Sequence, residues 1–215
     1  MHRRYLHPLL DVPADLASHR GWTEEVYRDL LALRAGQMSR AALDAKYLHR
    51  KAILVLDLTG LTVSCFDGGE AQAFLKILDA QMVCIPVLQQ HDAWLIRAFA
   101  DDLVALFDSA GDALDAAFEM QRRIALFNEC GLASGDPVQC CIGIGFGDVY
   151  AIGPNLAMGD EMNRASRLGE DIARGTETLV TENLREALRQ RPDVVFEPLS
   201  HDDMLFPYFR ATPSS

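Results

Sequence analysis

An apolar strand that ends in an acidic turn, at residues 51–62, is the feature that most constrains how this chain can fold. Residues 51–56 (Lys-Ala-Ile-Leu-Val-Leu) have the length and composition of a strand that is covered on both faces. Asp57 follows at the carboxyl end of this strand, and Thr59 and Gly60 predict a turn directly after it. Outward-facing backbone amides of such a turn can hold phosphate oxygens beside a carboxylate-bound metal. The stretch alone therefore predicts either a plain polar turn or a metal and phosphate site.

The composition limits the classes of protein to which the chain can belong. A length of 215 residues with 49% hydrophobic content suits one domain with appendages, or at most two small domains. The net charge of -11 argues against a nucleic-acid partner. The apolar runs are shorter than the roughly 18 residues of a membrane span, and the first residues do not resemble a signal peptide. We therefore expect a cytoplasmic protein without a membrane segment.

The cysteines do not form the spacings of a metal or disulfide framework. There is no Cys-x-x-Cys pair, and two of the five cysteines are adjacent on a predicted strand. We interpret them as small buried hydrophobic residues. They are Cys65, Cys84, Cys130, Cys140 and Cys141.

The order of the predicted elements indicates an α+β fold with a ferredoxin-like βαββαβ core. A helical segment over residues 1–50, with helix caps at Thr23 and Ser39, precedes a domain over residues 51–212. The core elements are strand 51–56, a helix after residue 69, a hairpin over 93–107 with its turn at Asp101-Asp102, helix 111–128, and strand 138–144 with a turn at 145–148 and a return at 149–152. Extra C-terminal elements follow, namely a helix over 160–173, a strand at 178–180, a helix capped by Thr181 and strands near Val194 and Phe206.

Two aspartates are predicted to meet at one edge of this sheet. In a βαββαβ sheet the first strand lies beside the hairpin, so Asp57 and Asp101 converge at adjacent strand ends. Neighbouring carboxylates repel each other and are most simply reconciled by divalent cations. Two Mg²⁺ or Mn²⁺ ions held in this way are typical of phosphoryl transfer. A polymerase palm and a diguanylate cyclase have a similar sheet and aspartate pair, so this pattern does not by itself identify a reaction.

A helical segment at residues 159–168, Gly-Asp-Glu-Met-Asn-Arg-Ala-Ser-Arg-Leu, narrows the choice. Asn163 and Arg167 are four residues apart, so their side chains share one helix face. Here the sequence resembles the catalytic domain of class III nucleotidyl cyclases, the adenylate and guanylate cyclase family. The likeness covers about residues 50–212 and consists of four ordered motifs: Leu-Asp-Leu-Thr-Gly-Leu-Thr from residue 56, Ala-Asp followed by Ala-Leu-Phe from residue 100, Ile-Gly-Ile-Gly-Phe-Gly from residue 142, and Met-Asn-Arg-Ala-Ser-Arg from residue 162.

The resemblance implies an activity and assigns roles by position. Asp57 and Asp101 would be metal ligands for two Mg²⁺ or Mn²⁺ ions, Asn163 would orient the ribose, and Arg167 would donate to charge on the phosphate. The backbone for metal and phosphate would come from the loop of Leu58, Thr59, Gly60, Leu61 and Thr62. The implied enzyme is a phosphorus-oxygen lyase in which the ribose 3'-hydroxyl attacks the α-phosphate and pyrophosphate leaves. Its sites lie between two subunits, so the resemblance also implies a homodimer.

The positions that contact the base in this family differ here. They hold Arg97 and Leu156, which match neither the adenylate nor the guanylate pattern. Arginine only donates hydrogen bonds, so it favours uracil O4 or guanine O6 over the adenine amino group. We therefore expect UTP to be converted to cyclic UMP, with an adenylate or guanylate cyclase as the alternative. Layout and motifs also resemble the short standalone pyrimidine cyclases of bacterial anti-phage signalling.

The position of the family's triphosphate lysine also differs. It falls near Asp202, and Asp148 stands where some members carry arginine. Arg164, Arg174 and Arg210 are the basic residues that could substitute. This departure keeps open a second function class, a degenerate cyclase-fold module that binds a nucleotide or a partner without turnover.

Overall fold

The computed structural model describes residues 9–19, 21–61, 69–152, 157–201 and 204–214. Its helices are α1 (Pro13–Ser18), α2 (Glu24–Arg34), α3 (Arg40–Tyr47), α4 (Glu70–Gln90), α5 (Ala110–Glu129), α6 (Asp160–Ser166), a π-helical turn (Arg167–Ile172) that continues α6, and α7 (Glu182–Ala187). The strands are β1 (Leu48–Leu58), β2 (Leu95–Phe99), β3 (Asp102–Phe107), β4 (Cys140–Ala151), β5 (Ala157–Met158), β6 (Thr178–Thr181), β7 (Val194–Leu199) and β8 (Tyr208–Pro213).

The strands form one mixed sheet in the order β2-β3-β1-β4-β6-β8-β7, and β5 pairs with β4. The first four strands have the order expected of a βαββαβ core, with β1 antiparallel to β3 and β3 antiparallel to β2. β4 pairs in parallel with β6, and β8 joins β6 to β7 in antiparallel fashion. The predicted α+β class and ferredoxin-like core are therefore confirmed.

The middle of β1 is fully buried, as its apolar run predicts. Residues 52–56 have no exposed surface. Leu54 and Leu56 belong to the main core, in which α4 and α5 cover one face of the sheet. On the other face, Leu168 of the π-helical turn packs against Cys141 of β4 and Leu179 of β6. Burial on both faces explains why an uninterrupted apolar run was needed there.

Two predicted turns differ in the structure. β4 runs unbroken from Cys140 to Ala151, so the turn predicted at 145–148 is wrong. Gly145 and Gly147 lie in extended backbone, where a side chain on either would collide with Glu161. These glycines therefore serve close packing and not a turn. The β2–β3 turn is formed by Ala100 and Asp101, one residue earlier than predicted, because Asp102 already pairs with Phe99.

The chain divides into two compact units. One unit contains Met1–Leu48 together with Tyr150–Ala157, and the other contains His49–Val149 and Met158–Ser215. Within the first unit, Val26, Tyr47 and Ile152 form an apolar cluster, and the Tyr150 hydroxyl donates a hydrogen bond to Asp44. The helix caps predicted at Thr23 and Ser39 are both present. A domain boundary at residue 50 stays a prediction.

Helix α4 is the one helix in the described ranges that is long and apolar enough to cross a membrane by length and composition. An 18-residue window in it has a mean hydropathy of 1.4, and 39% of that window is buried. Its inner side packs into the core through Ala80, Cys84 and Leu88. Core packing accounts for part of this apolar composition, and the cytoplasmic location stays a prediction.

Gly143 of β4 should be indispensable for packing α6 on the sheet. A Cβ at this position would lie 2.1 Å from the Ala165 carbonyl oxygen and 2.5 Å from the Gly169 nitrogen. Both are backbone atoms, so the helix must move away. We expect Gly143→Ala to lower the free energy of unfolding by roughly 3 kcal/mol, as in strongly overpacked cores. Urea denaturation measures this change.

Gly111→Ala is the matched control, because a Cβ there meets only ordinary contacts at 3.4 Å and beyond. Gly111 lies in the first turn of α5, where alanine favours the helix over glycine. This variant should be as stable as the unmodified protein or more so. Equal stability of the two variants would contradict the close packing of α6 on β4.

Candidate active site

Three aspartates and one glutamate face each other at the end of β1. The pairing of Leu56 with Leu103 places Asp57 beside Asp102, and Asp101 occupies the adjoining turn. Burial, together with the negative charges of Asp101, Asp102 and Glu170, raises the pKa of Asp57 to about 6. The structure therefore brings Asp57 and Asp101 together, as the sequence predicts, and adds two carboxylates that the sequence analysis did not include.

This acidic group fits a hard divalent cation. No cluster of three or more His, Cys, Asp or Glu side chains that could hold a metal by themselves occurs in the described parts of the chain. Asp57 and Asp101 nevertheless offer carboxylate oxygens in an environment with excess negative charge, which disfavours a second ionised carboxylate unless a cation is present. Oxygen ligands suit Mg²⁺ or Mn²⁺, with phosphate oxygens and water completing the coordination. The role of the two aspartates as metal ligands stays a prediction.

The backbone amides at the start of the loop after β1 already form hydrogen bonds within the chain. The Leu58 amide donates a hydrogen bond to the Asp57 carboxylate, and the Thr59 amide donates to the Gln139 carbonyl at 3.0 Å. Gly60 has φ = +73°, a conformation that favours glycine. The Thr59 hydroxyl oxygen is buried and has no hydrogen-bond partner among the described residues. The loop thus contains one polar group that a ligand could satisfy.

Three predicted site residues remain at or beyond the edge of what the structure describes. Leu61 is the last described residue of the loop. Thr62 and the predicted base contact Leu156 lie outside the described residues. The structure therefore leaves their predicted roles untested.

Asn163 and Arg167 are exposed on one side of α6 and the π-helical turn. The helix begins at Asp160, and the Asn163 amide donates to the Gly159 carbonyl at 3.0 Å. Ala165 and Leu168 are fully buried on the opposite side. The i, i+4 spacing and this burial pattern place the amide and the guanidinium on the same exposed side, as predicted. Groups in this arrangement are accessible to a ligand or to a second chain.

Glu161 holds this helix in place, and the sequence analysis missed it. Its carboxylate is 5% exposed and accepts hydrogen bonds from the Phe146 amide at 3.1 Å, the Thr181 hydroxyl at 2.8 Å, the Asn183 amide at 2.7 Å and Arg164 at 3.2 Å. A buried carboxylate is tolerated only when its oxygens are satisfied in this way. The sequence signal was present in the glycines of β4 that make room for this side chain, but it was interpreted as a turn.

Arg97 lies close to two of the carboxylates. It pairs with Val104 across the hairpin, so Asp102 is its diagonal neighbour on the same face of the sheet. Burial and Asp101 raise the pKa of Asp102, whereas Arg97 lowers it. Burial and Asp102 also raise the pKa of Glu170, which Arg97 again opposes. The Arg97 Nε is buried and lacks a hydrogen-bond partner among the described residues.

The basic residues suggested as substitutes for the missing lysine have other contacts. Arg164 bonds to Glu161 and stacks 5.3 Å from the centre of the Phe206 ring. Arg210 forms ion pairs with Glu177 and Glu197 at 2.5 Å and 2.8 Å. Each of these guanidinium groups already neutralises a carboxylate in the folded chain.

A third arginine, Arg174, donates a hydrogen bond from its side chain to the Ala173 carbonyl. Asp202, at the position of the family's lysine, lies outside the described residues. The described contacts of the three arginines thus give no support to a triphosphate role for any of them.

Comparison with known proteins supports the fold. No protein-family model matches the chain, and no curated protein matches it. Solved structures with the same fold include the adenylyl cyclase CyaB from P. aeruginosa, with 15% identity over 78% of this chain and 97% of that one and a TM-score of 0.64. They also include an adenylate/guanylate cyclase/hydrolase from Silicibacter pomeroyi, with 24% identity over 76% and 95% and a TM-score of 0.63.

A third similar structure contains a bound nucleotide. It is the guanylate cyclase domain of RhGC from Catenaria anguillulae in complex with GTP, with 16% identity over 77% of this chain and 97% of that one and a TM-score of 0.64. Each of these three structures is that of a cyclase or a cyclase domain, and this chain spans most of each. The chain therefore has the fold of class III cyclase domains.

The crowding of carboxylates around Asp57 predicts a pH-dependent stability. The folded-state pKa of about 6 lies above the ordinary value near 4, so the unfolded chain releases this proton first as the pH rises. The contribution of Asp57 to the free energy of unfolding should therefore fall between about pH 4 and pH 6 and stay lower above that window. In a chelating buffer at pH 8, Asp57→Asn should raise the free energy of unfolding, because it removes the charge that burial and the neighbouring carboxylates disfavour. We expect a gain of roughly 1 kcal/mol, since water screens part of the repulsion at this half-buried group.

At pH 4 and below, the gain from Asp57→Asn should disappear. The control is Asp92→Asn, an exposed aspartate in the turn after α4 that should show no such pH dependence. Denaturation curves across the pH range measure both variants. A gain that is equal at pH 4 and pH 8 would contradict the charge repulsion at Asp57.

Proposed function

We propose that this protein is a nucleotidyl cyclase, which converts a nucleoside triphosphate to a 3',5'-cyclic nucleotide and pyrophosphate. The observation that carries the proposal is the pairing of the class III cyclase fold with four suitable side chains. Asp57 and Asp101 meet at one end of β1 and the β2–β3 turn, and Asn163 and Arg167 are presented on one exposed helix side. Fold alone would not distinguish this enzyme from an inactive relative.

Each of these side chains has a physical task in the reaction. Asp57 and Asp101 hold two Mg²⁺ or Mn²⁺ ions, which when bound activate the attacking oxygen and offset the charge of the leaving group. Asn163 binds the ribose and orients its 3'-oxygen toward the α-phosphorus. As the bond from the 3'-oxygen to the α-phosphorus forms, the hydroxyl proton passes to water, the bond from the α-phosphorus to the oxygen that bridges to the β-phosphate breaks, and pyrophosphate leaves. Arg167 donates hydrogen bonds to the negative charge that grows on the phosphate oxygens.

The complete site is formed between two copies of the chain. Exposed Asn163 and Arg167 can approach the acidic group of a partner chain. The class III resemblance supports this division, with metals held by one chain and the amide and guanidinium supplied by the other. A twofold symmetric dimer then contains two equivalent sites. A single chain is inactive in this scheme.

The base is uracil in this proposal. Arg97 supplies donors, and the resemblance assigns the apolar residue Leu156 to the base, a combination that suits the O4 edge of a small pyrimidine. The unpartnered Nε of Arg97 is consistent with a ligand that completes its hydrogen bonds. Guanine, through O6, is the second choice, and adenine is disfavoured. A role in bacterial anti-phage signalling rests on the motif resemblance to pyrimidine cyclases alone.

A second candidate is a cyclase-fold module that binds nucleotide without turnover. It is favoured by the contacts of Arg164 and Arg210 with carboxylates, which leave the triphosphate without an evident arginine. Nucleotide binding without any cyclic product would identify this function.

With Mn²⁺ and equal amounts of the four ribonucleoside triphosphates, the protein should form mainly cyclic UMP together with pyrophosphate. Asp57→Asn and Asp101→Asn should each lower the turnover number by on the order of 100-fold or more, because each removes a metal ligand. Asp92→Asn should retain full activity. Mass spectrometry measures the products and the turnover number, and a sizing profile shows whether each variant keeps its oligomeric state. A mainly cyclic AMP product would contradict the base assignment, and full turnover in Asp57→Asn would contradict the metal site.

Mixing two inactive variants should restore activity if the site is shared. Asp57→Asn lacks a metal ligand and Arg167→Ala lacks the phosphate donor, so a mixed dimer contains one complete site and one doubly damaged site. Random exchange of equal amounts makes half of the dimers mixed, so activity should recover to about a quarter of the unmodified level. The mixing follows verified subunit exchange, and each variant alone is the control. A mixture no more active than its components would argue against a shared site.

A further inference from the structure

Lys76 of α4 lies against the loop that follows β1. The residue is 6% exposed, and its Nζ lies 3.5 Å from the position that a Cβ on Gly60 would occupy. Gly60 belongs to the predicted phosphate loop, and its φ of +73° favours a residue without a side chain. A positive charge on a helix of the core is thus placed beside the backbone that is suited to phosphate oxygens.

Buried lysines need a reason, because removal of an ammonium group from water is costly unless a partner compensates. The chain has only three lysines, Lys46, Lys51 and Lys76. Lys46 forms ion pairs with Glu25 and Asp29, and Lys51 forms one with Asp108. These pairs account for two of the three lysines as structural residues. Lys76 also interacts within the chain, and in addition its ammonium lies beside the loop of the candidate site.

The surroundings of Lys76 suit a polyanion. The Lys76 Nζ lies beside the Gly60 backbone in a largely buried position, so little ordering of the side chain is needed when a ligand binds. The neighbouring Thr59 hydroxyl is buried without a partner among the described residues. An ammonium group is a compact point charge that binds phosphate oxygens well. Ammonium, hydroxyl and loop backbone together form a set of phosphate-binding groups.

We propose that Lys76 binds the β- and γ-phosphate oxygens of the nucleoside triphosphate. This inference rests on the proposed function, because it takes the loop after β1 as part of the nucleotide site. Lys76 supplies the positive charge that the family's lysine position, near Asp202, does not. The same contact holds pyrophosphate after the α–β bond has broken.

Binding of inorganic tripolyphosphate tests this role without any turnover. In the presence of Mg²⁺, calorimetric titration should show that Lys76→Met weakens tripolyphosphate and pyrophosphate affinity by about 10-fold or more, as expected for a lost hydrogen bond between charged groups. Methionine retains the buried stem of the side chain. Lys51→Met is the matched control, because it removes the same charge from β1 and not from α4. This variant should bind tripolyphosphate as the unmodified protein does. Equal affinity in all three proteins, or no binding by the unmodified protein, would overturn the proposal.

A purely structural role of Lys76 would give a different result. If Lys76 only supports the loop, Lys76→Met should weaken uridine and tripolyphosphate binding alike, which would overturn the proposal. If Lys76 binds phosphate, Lys76→Met should weaken the binding of tripolyphosphate and leave that of uridine unchanged. In the active enzyme, the substitution should raise KM for the triphosphate more than it lowers kcat.

A measurement on the unmodified protein covers the case in which Lys76→Met does not fold. With ¹⁵N-labelled lysine side chains, the three Nζ signals can be assigned with the help of Lys46→Arg and Lys51→Met. Tripolyphosphate should shift the Lys76 signal and leave the other two in place. An unmoved Lys76 signal at saturating tripolyphosphate would overturn the proposal.

The outcome is separable from that of the proposed function. Loss of tripolyphosphate binding in Lys76→Met, in a protein that forms no cyclic nucleotide, would retain the phosphate contact and reject the cyclase. Cyclic nucleotide formation with unchanged KM and affinity in Lys76→Met would retain the cyclase and reject the phosphate contact.

Discussion

The close approach of α6 to β4 is the constraint on which the candidate site depends. Gly143, Gly145 and Gly147 remove the side chains from one face of β4, and the Glu161 carboxylate fills the space over the last two. Three hydrogen bonds then tie Glu161 to neighbouring elements, which fixes the helix on the sheet. Asn163 lies two residues further along the same helix, so its position is fixed as well. The geometry of an exposed amide is thus set by a buried carboxylate.

The acidic group at the end of β1 differs from the Glu161 contacts, because it lowers the stability of the folded chain. Burial, together with the charges of Asp101, Asp102 and Glu170, raises the pKa of Asp57 to about 6. Proteins tolerate such repulsion mainly where a site requires it. Arg97 offsets only part of this charge. The excess is what a divalent cation would neutralise, in contrast to acidic residues such as Asp29 and Glu119, which form ion pairs within the chain.

Patterns within single elements were predictable, and contacts between elements were not. The apolar run of β1 and the Thr181 cap followed from local rules, and the structure bears both out. Glycines in β4 were taken for a turn, because a lone sequence cannot show that another helix fills the space beside them. The position of Lys76 beside Gly60 could not be predicted for the same reason, because it depends on how α4 packs. The roles of the β4 glycines and of Lys76 could be predicted only with the fold already known.

The grouping of Tyr150 and Ile152 with the N-terminal helices has a practical consequence. Tyr47 and Val26 cover Ile152, so these helices form a small core of their own around a piece of chain from beyond residue 149. Cutting the protein at residue 50 would strip that core and leave its apolar remainder exposed to water, a surface that favours aggregation. A truncated form of the protein should therefore keep α2 and α3 together with the segment that carries Tyr150 and Ile152.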